Sequence, residues 1–374
     1  MRRGESYVWQ LKDWPSFRWD AERLLSPVAA ARAKQGRLLG RMQHLGFDLQ
    51  REAQARAVVE EVLKSSEIEG ERLDAESVRS SVARRLGLPE GGIRPADAKA
   101  DGVVEMMLDA TVRFKNPLTK SRLVAWHAAL FPTGHSGLHR VRAGDWRGDV
   151  AGPMQVVSGS VGRTKVHYEA PPAKRVPREM TAFLKWFNQP RGGDGLIRAG
   201  LAHLWFVTIH PMDDGNGRMA RAIADMALAQ LEGAPLRFYS LSSQIRRDRN
   251  AYYDILESTQ RHGLNVSAWL EWFVGCFARA VDAAEEVSGE VFRRADFWNR
   301  YAKEPITPRQ KTVLNRFLGD FEGKLTAKKW AVLAKCSVDT AQRDINDLVE
   351  RHILVKNDGG SKNTSYAFAV ERPA

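Results

Sequence analysis

The stretch His210-Pro211-Met212-Asp213-Asp214-Gly215-Asn216-Gly217-Arg218-Met219-Ala220-Arg221 decides how this chain is read. An apolar helical run over Leu196 to Ile209 leads into it, and Pro211 ends that helix because the proline ring clashes with the preceding turn and has no N–H. Asp214-Gly215-Asn216-Gly217 then makes a tight turn whose glycines let backbone N–H groups approach a ligand closely. A further helix is expected from Gly217 to Leu231. Its first turn offers unpaired N–H donors and a partial positive charge, which suits a phosphate. Arg218 and Arg221, three apart on one face, add a forked cationic clamp. An imidazole base, a carboxylate for a divalent cation and a phosphate nest therefore lie within one short segment.

The 374 residues around it suffice for two or three domains with cores of ordinary size, so intrinsic disorder and a small stapled scaffold are excluded. The formal charge of +12 favours nucleic acid, anionic membranes or phosphorylated ligands without choosing among them. Cys276 and Cys336 form no metal-ligand spacing, so neither a disulfide framework nor a structural zinc is supported, and a cytoplasmic location is expected. Met1 to Asp20 is aromatic and charged and does not read as a secretory signal. The longest uncharged stretch, Ala199 to Met212, falls short of the roughly 18 apolar residues a membrane span needs, so no membrane partner is expected.

Upstream, the chain to about residue 115 reads as a helical region, and in Arg51 to Glu71 the apolar positions Ala55, Val58, Val59, Val62 and Leu63 recur at helical spacing. A core spans 116–290. Within it, 116 to about 140 continues helical, and Met154 to Val157 and Lys165 to Tyr168 flank the turn Ser158-Gly159-Ser160-Val161-Gly162, predicting a β-hairpin over 154–169. Helices follow at Pro177 to Phe187, Ser243 to Thr259 and Ser267 to Val287, with a pause at Arg191 to Gly195. The last domain, 305–374, reads as three helices (Thr307 to Asp320, Thr326 to Lys335, Ser337 to Arg351) and a two-stranded wing closed by Asn357-Asp358-Gly359-Gly360. The fold class is mainly α.

The decisive segment resembles the signature of the Fic family, HxFx(D/E)GNGRxxR, and departs from it only where Met212 stands for the usual Phe, a volume-conserving apolar exchange. The hairpin resembles the family's target-docking flap, with Gln155, Val156, Val157, Val166, His167 and Tyr168 as its candidate residues, and the final domain resembles the winged helix that many bacterial members carry. Ser65-Ser66-Glu67-Ile68-Glu69-Gly70 resembles the family's inhibitory motif (S/T)xxxE(G/N), and Ser65 and Glu69, four apart, share a helical face.

The resemblance implies transfer of AMP from ATP to a Ser, Thr or Tyr hydroxyl of a protein. His210 would be the base, Asp214 the ligand of Mg2+ or Mn2+, and Gly215, Asn216 and Gly217 the stabilisers of the α-phosphoryl. Arg218 and Arg221 would bind the β and γ phosphates, and Glu69 would compete for Arg221 and keep activity low. Tyr252, Tyr253 and Gln260 are candidates for the adenine side. Family members that remove AMP from proteins with the inhibitory glutamate, that use other donors, or that dimerise keep those alternatives open.

In the last domain Thr340, Gln342, Arg343 and Asn346 suit base edges, and Lys356, Ser361 and Lys362 suit phosphates. Asp339, Asp344, Asp347 and Glu350 on the same helix would repel DNA unless turned inward. A DNA-binding regulator with a nucleotide-sensing core is the competing reading.

Overall fold

The computed structural model describes residues 6–88, 97–137, 139–148, 152–158, 164–189, 192–235, 237–319, 321, 323–357 and 364–369. The chain divides into two units, Met1–Glu286 and Val287–Ala374. The N-terminal helical region and the following core, separated at about residue 115 on sequence grounds, thus fall within one unit. The hairpin turn Gly159 to Gly162, Arg191, and the wing residues 358–362 lie outside the described residues.

In the first unit Asp20 caps α1 (Ala21–Gln43) by accepting from the Arg23 N–H at 3.0 Å. Helix α2 (Phe47–Ile68) stops one residue before Glu69, which is the cap residue, and Gly70 follows at φ +80°. Helix α3 (Ala75–Leu86) starts on an Asp74 cap. Helices α4 (Ala98–Val112) and α5 (Lys120–Leu130) follow. The expectation of continuous helix to about residue 140 is corrected here: α5 ends at Leu130, and two-residue strands β1 (His135–Ser136) and β2 (His139–Arg140) pair beyond it. The flap is β3 (Gln155–Ser158) paired antiparallel with β4 (Lys165–Glu169), its register shifting between Val156 and Val157.

Helices α6 (Val176–Asn188), α7 (Gly195–Ile209) and α8 (Asn216–Glu232) lead to α9 (Leu241–Arg247) and α10 (Arg249–Arg261), where the sequence reading had one helix. Helix α11 runs Ser267–Arg300, past the expected end at Val287. Every residue of α7 from Leu196 to Ile209 is buried, so this mostly apolar helix is enclosed on all sides, with Arg198, His203 and Thr208 as its buried polar residues.

Burial along α2 is more polar than its apolar stripe suggests. Val58 and Val62 are buried, but so are Gln54, Glu61 and Ser65. Glu61 accepts from the Ser240 hydroxyl at 2.7 Å and the Ser242 N–H at 2.9 Å, fastening α2 to the start of α9. A buried carboxylate stays in place only when its lone pairs are filled, as these are.

The flap is anchored rather than free. Tyr168 donates its hydroxyl to Thr208 O at 2.6 Å, and the indole of Trp9 in the aromatic leader donates to Glu169 O at 2.8 Å. Arg261, at the end of α10, donates to His167 O at 2.8 Å and Val166 O at 3.3 Å.

The second unit contains α12 (Pro308–Leu318), α13 (Ala327–Ala334), α14 (Val338–Glu350) and an antiparallel pair, β5 (Leu354–Lys356) with β6 (Tyr366–Phe368). Thr307, Thr326 and Ser337 cap the three helices, and Val313, Leu314, Trp330, Ile345, Leu348 and Leu354 form the core between them. One of the acids of α14 turns inward: Asp344 is buried and accepts from Arg309 Nε and Nη2 at 2.7 Å, whereas Asp347 accepts from the Gln310 amide at 2.7 Å while remaining exposed. Among the described residues no helix is long and apolar enough to cross a membrane.

Candidate active site

Helix α7 ends in a left-handed residue that is not glycine. His210 has φ 52° and ψ 58°, and its N–H closes the helix on Phe206 O at 3.0 Å. Its Nδ1 lies 3.1 Å from Val207 O; since a carbonyl only accepts, Nδ1 carries the proton and the lone pair sits on Nε2. Burial depresses the imidazole to about 4, with Arg147 adding to the depression while the Val207 bond, Glu69 and Asp214 oppose it. The ring is therefore neutral at pH 7, with an open acceptor atom.

The loop after His210 is closed from within. Asn216 Oδ1 accepts from the Met212 N–H, and its Nδ2 donates to Met212 O, both at 2.9 Å. Met212 itself is fully buried, as expected of an apolar loop anchor. Both polar atoms of the Asn216 amide, expected to serve a phosphoryl group, thus take part in holding the loop, and the second N–H of Nδ2 remains beyond the bond to Met212 O. Gly215 stands at φ +76°, and a Cβ there would come within 3.1 Å of Phe131 and 3.2 Å of Leu130.

The loop is also held from outside, by residues with no pattern in the sequence. His127 of α5 places Nε2 3.2 Å from Asp214 O, while Gly144 N–H donates to its Nδ1 at 3.3 Å. The Ser136 hydroxyl donates to Asp214 Oδ2 at 2.6 Å.

At the start of α8 two buried guanidinium groups each meet a carboxylate from the end of α2. Arg221 Nη2 donates to Glu69 Oε1 at 2.8 Å and to Ser65 O at 2.9 Å, and its Nε donates to the Ser65 hydroxyl at 2.9 Å. Arg218 Nη1 donates to Glu71 Oε2 at 2.6 Å, and Lys99 of α4 holds the other Glu71 oxygen at 3.0 Å. The Glu69 carboxylate sits directly over Gly217: a Cβ there would stand 2.1 Å from Glu69 Oε1 and 3.2 Å from Arg221 Nη1. That Nη1 is buried and finds no hydrogen-bond partner among the described residues. Gly217, the uncapped helix start and the two arginines thus form a cradle for an anion, and the anion in it is a side chain of the same protein.

The spacing of Ser65 and Glu69 did bring both to Arg221. Glu71 was missed, although it stands only two residues beyond Glu69. The adenine-side candidates separate. The Tyr252 hydroxyl bonds His203 Nε2 at 2.9 Å and the Gln260 amide bonds the Thr208 hydroxyl at 3.2 Å, both inside the core, so the structure does not place them at the cradle's surface. Tyr253 and Arg249 both donate to Ile68 O, at 3.4 and 3.2 Å, gripping the end of α2. Of the flap candidates, Val157 is exposed, Tyr168 is buried against α7, and His167 Nδ1 pairs with Glu257 at 2.6 Å. The loop carries two carboxylates: Asp213 accepts from the Arg142 N–H at 2.8 Å, and Asp214 accepts from the Gly215 N–H at Oδ1 and the Ser136 hydroxyl at Oδ2. No group of three His, Cys, Asp or Glu occurs among the described residues, and Mg2+ commonly takes one carboxylate and completes its shell from phosphate oxygens and water, so the residues fit.

Comparison with known proteins agrees with this geometry. Residues 7–88 match a domain of unknown function, DUF4172, and residues 117–228 match the Fic/DOC family. The protein adenylyltransferase Fic of Nematostella vectensis is 25% identical over 234 residues, which cover 61% of this chain and 48% of that protein; the chain therefore aligns with about half the length of this curated relative. The crystal structure of a Fic family protein from Desulfovibrio desulfuricans G20 superposes with a TM-score of 0.53 at 20% identity, covering 93% of this chain and 97% of the other, and so shares its fold. The matched segment contains the closed loop, its outside supports and both arginines: residues 117–228 are a Fic/DOC family domain.

Proposed function

We propose that this protein is an adenylyltransferase that moves AMP from ATP to a hydroxyl of a protein, and that the end of α2 holds it inactive. The observation that carries the reading is the Glu69 carboxylate over Gly217, bonded to Arg221 beside an unfilled guanidinium nitrogen. An acidic side chain placed on a cationic helix start occupies the position a phosphate group would take.

In the transfer, the target oxygen forms a bond to the α-phosphorus while the bond to pyrophosphate breaks, and the hydroxyl proton passes to His210 Nε2. The Nδ1–H bond to Val207 O keeps that lone pair available. Arg218 and Arg221 bind the β and γ phosphates once Glu71 and Glu69 release them. Asp214 would hold Mg2+ or Mn2+, which when bound would neutralise phosphate charge. Because Arg261 already bonds the β4 carbonyls of Val166 and His167, we assign β3, with Gln155, Val156 and Val157, as the strand that meets the target.

Inhibition then uses two contacts, not one. The Glu69→Gly variant should incorporate more label from α-labelled ATP than the wild type, Glu71→Gln added to it should raise incorporation further, and His210→Ala should abolish it. Equal incorporation in all four proteins would sink the assignment. Running the Glu69→Gly protein with labelled ATP, UTP and GTP identifies the donor.

A further inference from the structure

The left-handed conformation of His210 is unusual for a residue with a side chain, and such conformations persist where surrounding contacts over-determine them. Besides its bonds to Phe206 O and Val207 O, His210 is held by one residue from outside α7, Arg147, between β2 and the flap. Its Nε donates to His210 O at 2.6 Å, its own N–H donates to Pro211 O at 2.9 Å, and its Nη2 donates to Pro171 O at the end of the flap. The side chain is 3% exposed. A planar guanidinium bonds diverging carbonyls at fixed angles, which a lysine ammonium on a flexible stem cannot do from one position.

Resting on the transferase reading above, we propose that Arg147 is the positioning residue of the site: it ties the base of the flap to the backbone of His210, so that the strand presenting the target and the atom receiving its proton keep one spacing. The contact is reinforced at the same end of β4, three residues before Pro171, where Tyr168 donates to Thr208 O two residues before His210. The pair of anchors makes the flap base and the end of α7 one rigid piece. Positioning of this kind acts on the transfer step and not on nucleotide binding, because none of the three carbonyls belongs to the phosphate cradle. It also sets a positive charge facing the imidazole, opposed by Glu69 and Asp214, the other charges that face it.

The test compares Arg147→Met and Arg147→Lys in the full-length Glu69→Gly protein. The expected result is a kcat lower by about tenfold or more in both, with the affinity for ATP measured by calorimetry unchanged within about twofold. Hydrogen exchange should rise together at 165–171 and 207–211. In Arg147→Met the His210 ring, followed by NMR, should titrate at higher pH than in the parent, whereas Arg147→Lys should keep the lower value without restoring the rate. Full restoration by lysine, loss of ATP affinity in step with kcat, or faster exchange in only one segment would overturn the proposal. If Arg147→Met does not fold, the lysine variant alone decides. If the parent transfers no AMP, the transferase reading fails, while the exchange and titration measurements still judge the coupling.

Discussion

Two helix starts in this protein, those of α8 and α14, look alike in sequence and differ in what fills them. Both follow a tight turn and both carry arginine in an early turn. At α14, Ser337 caps the helix by accepting from the Thr340 N–H at 3.2 Å, and Arg343 is exposed. At α8 the cap residue is Gly215, no side chain caps the helix, and Arg218 and Arg221 are each 1% exposed. Their charge is met by carboxylates from the segment that follows α2, more than a hundred residues earlier. A helix end satisfied by its own cap has little left for a ligand; one that borrows its anion from elsewhere has a place where another anion fits.

The strongest way to break the contrast is to remove one arginine from each helix. Arg221→Ala leaves Ser65 and Glu69 without their buried partner and should lower the unfolding free energy by about 3 kcal/mol, whereas Arg343→Ala should stay within about 0.5 kcal/mol; urea denaturation of the full chain measures both. Equal losses would mean that burial does not distinguish the two starts. Gly217→Ala sharpens the point, since its methyl group collides with Glu69 and should cost about 1–3 kcal/mol. Combined with Glu69→Gly that cost should largely vanish, and additive losses would show that the carboxylate is not what lies over Gly217. Ser337→Ala should cost about 1 kcal/mol, with no effect on label incorporation.

Local features of this fold could be read from the chain because their causes are local. Pro211, the glycine turn, the three caps of the second unit and the flap strands all depend on residues a few positions apart. The break at Asp248 between α9 and α10 could not, since nothing in Ser243 to Thr259 stops a helix. Much of the site was equally hidden. His127, Ser136 and Arg147 reach the loop from three different segments, and their roles exist only once those segments pack. Tyr252 and Gln260 show the other side of this, for residue types suited to a nucleobase are equally suited to a core when His203 and Thr208 supply partners. For α14, inward-turned Asp344 removes one of the four charges that argued against DNA and leaves Asp339, Asp347 and Glu350 exposed, and Gln342, a candidate for base contact, already bonds Asn346 and Tyr366 at 2.9 Å.

Glu69 and Arg221 belong to one polypeptide and lie 152 positions apart. A carboxylate carried in this way meets its arginine at an effective concentration fixed by the fold, on the order of millimolar or higher, whatever the amount of protein present. Dilution leaves such a contact intact. A free anion displaces it only by outcompeting that local concentration, a competition set by the fold of one chain.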